Sequence, residues 1–102
     1  MTREHTCEIV VFRWKDYIKK NSSLSLSDKF FNDENVMVLD AQDRMLFLQI
    51  LDFCRLINSD RIMGSINVLC GAFGMSPNMF EPLLFQLELK GVLRTYDDRY
   101  SH

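Results

Sequence analysis

The sequence predicts a mainly α-helical domain closed by a small β-wing, and three stretches predict it. An aspartate-headed, largely apolar segment from Ala41 to about Asn58 reads as a central helix. A helix, a glycine turn and a second serine-headed helix follow between Ser65 and Lys90. After Gly91 the composition changes to Val92-Leu93-Arg94-Thr95-Tyr96, which suits a strand. With 102 residues, 47% hydrophobic and 12% aromatic, the chain holds enough apolar mass for one core, so a single domain over 1–102 is expected.

Each element has a local reason. Residues 7–20 open with Ile9-Val10-Val11-Phe12 and then alternate charged and aromatic groups. Val11, Trp14 and Ile18 fall at helical spacing, which favours a helix ending near Asn21; the β-branched start also suits a strand. Residues 21–27 are serine-rich and read as a loop. Phe30 and Phe31 are expected to plug the core just before a short helix, capped by Asn32 or Asp33, that turns Val36 and Leu39 inward. Asp40 is placed to cap the next helix by accepting a backbone N–H near Asp43. Along that helix Gln42, Gln49, Asp52 and Arg55 form a narrow polar stripe, and the apolar remainder predicts packing on several sides. Arg61-Ile62-Met63 is expected to be extended, Gly64 to turn the chain, and Ser65 to cap a helix over residues 66–73 that Gly74 ends in the left-handed conformation. Ser76 and Pro77 open the following helix, Pro77 at a first position where its missing N–H costs nothing. The strand after Gly91 is expected to turn at Asp97-Asp98 and return through Arg99-Tyr100.

Helix, Gly74-Met75-Ser76 turn, helix, then a wing is the order of a winged helix-turn-helix. Leu69 and Ala72 take the inner face of the first helix; Phe80, Leu84 and Leu87 take that of the second. This pattern looks like that of common bacterial regulators. Upstream, Phe30-Phe31-Asn32-Asp33 before a short helix and a long apolar helix is similar to the N-terminal domain of phage replisome organisers, the DnaD-like primosomal proteins. That resemblance spans roughly Trp14 to Asp97. It implies a winged helix that self-associates and contacts other replication proteins, with much of the DNA affinity supplied by a separate C-terminal region.

The candidate nucleic-acid contacts are Arg94 and Arg99 flanking the tip of the wing, Asn78 at the start of the second helix of the pair, and the basic set Arg13, Lys15, Lys19 and Lys20. Arginine and lysine neutralise phosphate, and asparagine suits a base edge. The bland alternatives are a solvated face for the basic set and pairing of the two arginines with Asp97 and Asp98. The second helix otherwise presents Met79, Pro82, Phe85 and Leu89 outward, with Glu81 repelling phosphate. An outward apolar strip marks a protein contact more often than a groove reader, unless the N-terminal segment packs over it.

Composition excludes several classes. A net charge of −2 argues against bulk electrostatic coating of nucleic acid and leaves only a local basic patch. Cys7, Cys54 and Cys70 are an odd set that fits a reducing compartment, with Cys54 and Cys70 as small buried hydrophobes. His5 and His102 lie at the termini, so no metal set and no catalytic base emerges, and no cofactor or small-molecule substrate is expected. No cleavable apolar leader and no span-length apolar run is legible, which predicts a cytoplasmic protein without membrane contact. The expected function is a non-enzymatic factor of DNA replication or transcription that self-associates, as a dimer or larger, and binds DNA weakly and non-specifically. The alternative is a small phage-type adaptor or inhibitor that holds a host protein on the Met79–Leu89 face.

Overall fold

The computed structural model describes residues 6–19 and 26–97. They form a mainly helical unit with one three-stranded antiparallel sheet. The order is β1 (Thr6–Val10), α1 (Trp14–Tyr17), α2 (Asp28–Asn32), α3 (Glu34–Met37), α4 (Ala41–Ile57), β2 (Arg61–Ser65), α5 (Ile66–Phe73), α6 (Pro77–Leu89) and β3 (Arg94–Asp97).

The N-terminal segment is not the helix favoured from its spacing. It is strand β1 followed by the single-turn helix α1, and Ile18 then bridges to Leu26. Val11, Trp14 and Ile18 are all buried as expected, but they reach the core from a loop, a helix and an extended residue in turn. The strand wins because β1 finds partners on both edges. The sheet order is β2-β1-β3, with Ile9 opposite Ile62 on one side and Thr95 on the other. Cys7 to Val10 are paired on both sides, so the sheet supplies the backbone partners that a helix would supply locally.

The pleat sorts the strand residues. Cys7 and Ile9 face the core with Ile62. Glu8 lies between Met63 and Tyr96, and Val10 between Arg61 and Arg94, on the other face. Arg61 donates to Glu8 at 2.8 Å across that face. The expected strand after Gly91 thus exists, two residues later than its composition indicated, but its partner is β1. β1 covers one edge of β3; the expected return strand at Arg99-Tyr100 lies outside the described residues.

Helix α4 is the spine. Asp40 accepts from the Asp43 backbone N–H at 2.9 Å, and Asn58 closes the helix in the left-handed region at φ 53°. Leu46, Phe47, Ile50, Leu51 and Cys54 are buried along it. The near-complete apolar surround expected from sequence is only half used, since Met45, Leu56 and Ile57 are exposed. Conversely Asp43 is buried. Its Oδ2 accepts from Lys90 Nζ at 3.1 Å, and the same ammonium donates to the Val38 carbonyl at 3.2 Å. One cation therefore ties the end of α6 to the start of α4 and the end of α3. Losing it would strand a desolvated carboxylate, which is the costly direction for a buried pair.

Other local expectations divide similarly. Ser65 accepts from the Val68 N–H, and Gly74 ends α5 at φ 66°, as its lack of a Cβ permits. Pro77 opens α6, but the Ser76 hydroxyl makes no cap bond; its carbonyl instead accepts from Met79 and Phe80. Gly64 does not turn the chain and belongs to β2. Phe30 is buried against Tyr17 and Phe47, whereas Phe31 is 57% exposed. Both phenylalanines lie within α2, where adjacent residues are about 100° apart, so only one can face inward. Ala72 points outward; Ile66, Leu69, Cys70 and Phe73 form the inner face of α5.

Candidate nucleic-acid interface

Two of the candidate cations, 81 positions apart in sequence, line one cleft: Arg13, just after β1, and Arg94, at the start of β3. The pairing of β1 with β3 places Val10 opposite Arg94 and carries the chain on to Phe12 and Arg13 beside that strand. The cleft has a volume of about 530 Å³. Its walls include Phe12, 61% exposed, and Tyr96, 50% exposed. Tyr96 lies two residues beyond Arg94 and therefore on the same face of β3.

The floor is fixed by hydrogen bonds. Glu88 Oε1 accepts from both the N–H (2.7 Å) and the hydroxyl (2.9 Å) of Thr95. This locks the last turn of α6 to β3 and engages one oxygen of the Glu88 carboxylate. Gly91 makes the connection at φ 80°, a left-handed conformation that favours glycine. On the opposite wall the Tyr17 hydroxyl donates to Asp33 Oδ2 at 2.8 Å. Burial, then the bond to Asp33 and its charge, push the Tyr17 phenol up to about 12. Burial works to raise the Asp33 carboxyl, but the bonds from Tyr17 and the Asn35 N–H, with the nearby Arg13 guanidinium, outweigh it and hold Asp33 below the usual carboxylate range. Among the described residues neither Arg13 nor Arg94 has a carboxylate within ion-pair distance. Two exposed guanidiniums thus line one cleft, with Glu88 as the carboxylate in its floor, and a guanidinium pair of this kind can hold an anion.

The remaining candidates are dispersed. Lys15 lines a neighbouring groove that shares Phe12 and Arg13 but also contains Asp16 and Asp60, and its ammonium lies 5.6 Å from the Trp14 ring centroid. Lys19 is exposed beyond α1. Lys20 and Arg99 lie outside the described residues. Asn78 is exposed at the start of α6, about 15 Å along the helix from the Glu88 end at 1.5 Å per residue, so it does not join the Arg13–Arg94 cleft.

The second candidate surface is the outward strip of α6. Met79, Pro82, Phe85 and Leu89 are all exposed on α6, and no described part of the N-terminal segment covers them. At 100° per residue they fall within an arc of about 120°, and Asn78 falls inside it. The sequence reading missed Phe12 and Tyr96. In the sequence Phe12 belongs to the apolar run 9–12, where only the alternation set by β1 distinguishes it, and Tyr96 is one residue of a strand-like run.

The thiols offer no chemistry. Cys7, Cys54 and Cys70 are buried and outside any disulfide; burial pushes Cys54 up to about 12 and also raises Cys70. Among the described residues no three His, Cys, Asp or Glu side chains gather as a metal set, and no helix is long and apolar enough to cross a membrane. No family model, no curated protein and no solved structure matches the chain.

The raised Tyr17 pKa has a signed consequence. The neutral phenol contributes stability in full below pH 10, and that contribution is lost as pH rises from 10 towards 12. Tyr17→Phe is expected to remove the highest phenolate step from an absorbance titration and to flatten the loss of stability between pH 10 and 12. Persistence of that step in the variant would contradict the assignment.

Proposed function

We propose that this chain is a non-enzymatic winged-helix protein of DNA replication or transcription, which holds the nucleic-acid backbone at the Arg13–Arg94 cleft. The observation that carries the reading is the convergence of two exposed arginines, 81 positions apart in sequence, on one cleft. The connectivity supports it: α4, β2, α5, a three-residue turn, α6 and β3 follow the order of a winged helix, with β1 seated between the two strands that flank the helix pair.

The chemistry is phosphate neutralisation rather than base reading. The outward arc of α6 carries two base-reading side chains, Asn78 and Gln86, about 12 Å apart along the helix amid apolar residues, so direct readout of a major groove is poorly served. With a net charge of −2 the rest of the surface adds little attraction. Binding is therefore weak, salt-sensitive and indifferent to sequence. Arg99, Lys15, Lys19 and Lys20 add further cations on this reading, and the setting is the cytoplasm.

The α6 arc favours a second role in the same protein, self-association or the docking of a replication or host protein, because Phe85 is 56% exposed in a line of four apolar residues. The alternative of a pure adaptor or inhibitor keeps this face and dispenses with the cleft.

Fluorescence anisotropy with labelled random duplex, from low to moderate salt, tests the cleft. Binding is expected in the micromolar range, and Arg13→Ala with Arg94→Ala should flatten the slope of log affinity against log salt by about 2, close to one per phosphate contact. An unchanged slope would remove the cleft from the account. Sedimentation equilibrium tests the helix: Phe85→Asp should abolish concentration-dependent mass while leaving the melting curve unaltered, and a wild-type protein that stays monomeric at all concentrations would argue for a heterologous partner instead.

A further inference from the structure

We infer that the Arg13–Arg94 cleft takes single-stranded nucleic acid in preference to duplex, with bases stacked on Phe12 and Tyr96 while the arginines hold the flanking phosphates. The inference rests on the nucleic-acid reading above and narrows it to a strand type.

The two aromatics carry it. The chain buries Trp14, Tyr17, Phe30, Phe47, Phe73 and Phe80 and exposes Phe12, Phe31, Phe85 and Tyr96, and of these four Phe12 (61% exposed) and Tyr96 (50%) line the cleft. Each of the two stands beside one of the arginines: Phe12 precedes Arg13, and Tyr96 shares a strand face with Arg94, about 6.8 Å further along β3. Cation, ring, ring and cation thus line one cleft. A duplex offers such a cleft only its phosphates, because its bases are stacked on each other and the rings would meet nothing. A single strand offers phosphates and unstacked bases together, and every base has a face that can stack on an aromatic ring. Charge selects the class of ligand, and the rings select the open strand. The floor adds no base-reading pattern, since Glu88 is engaged by both donors of Thr95 and the Tyr17 hydroxyl by Asp33. Sequence preference within the single strand is accordingly weak.

The test uses the whole chain with two fluorescent probes of equal length, an oligothymidylate and a random duplex, at the same low salt. The wild-type protein should bind the oligothymidylate at least about five-fold more tightly. Phe12→Ala and Tyr96→Ala should each weaken that binding by about five- to a hundred-fold, the range for a lost base–aromatic stack, and leave duplex affinity unaltered. Both rings are exposed, and thermal unfolding followed by circular dichroism checks that the fold is kept. Competition of unlabelled duplex against the bound oligothymidylate gives the preference from the wild-type protein alone. Equal affinity for both probes, with Arg94→Ala weakening each and the aromatic variants weakening neither, would overturn the single-strand inference and leave the backbone-binding function standing. Absence of salt-sensitive binding to either probe would overturn both.

Discussion

The pairing of β1 on both of its edges is the constraint on which the rest of this structure depends. Five residues at the N-terminal end of the described chain meet β2 along one edge and β3, at its far end, along the other. Without β1 the two flanking strands have no common partner, and β3 has no reason to lie beside residues 12–17. With it, Ile9 enters the core fully buried, Val11 donates to the Asp60 carbonyl, and Arg13 is carried to the strand that holds Arg94. The cleft is therefore a product of long-range topology, and no segment of the chain contains it alone.

That origin explains what was legible in the sequence. The stretch from Asp40 to Gly91 could be read almost element by element because its signals are local. A carboxylate bonds an N–H three residues on, a serine repeats the device at Ser65, and glycine supplies the left-handed turns at Gly74 and Gly91. The N-terminal segment could not be decided this way. Its run of β-branched residues satisfied strand composition while Val11, Trp14 and Ile18 satisfied helical spacing, and the deciding partners lie at 61–65 and 94–97. The buried Asp43 is a similar case. Near the start of a helix an aspartate reads as solvated, and its cation, Lys90, is 47 residues away. The errors at Phe31 and Ala72 are errors of phase within short helices, where a shift of one residue turns a side chain from core to solvent.

The candidate site divides along the same line. The apolar arc on α6 lies on one continuous helix and followed from spacing alone. The cleft joins residues from both ends, so Arg13 and Arg94 were each identifiable as cations but not as neighbours, and Phe12 and Tyr96 gave no signal until the register of β1 set which side chains point outward. The molecule thus offers two surfaces of unlike chemistry: an apolar arc on α6, and a cleft lined by two arginines and two exposed aromatic rings. A net charge of −2 leaves the rest of the surface with little attraction for anions, so the positive charge of the cleft acts locally.

Heteronuclear NMR during titration with a short oligothymidylate tests the central claim most directly, because it reports on the cleft and on α6 in one experiment. The account predicts shift changes confined to residues 12–17 and 91–96, with the side-chain resonances of Arg13 and Arg94 among the largest. Changes centred on Asn78 to Leu89, with the cleft silent, would contradict it and make α6 the nucleic-acid surface.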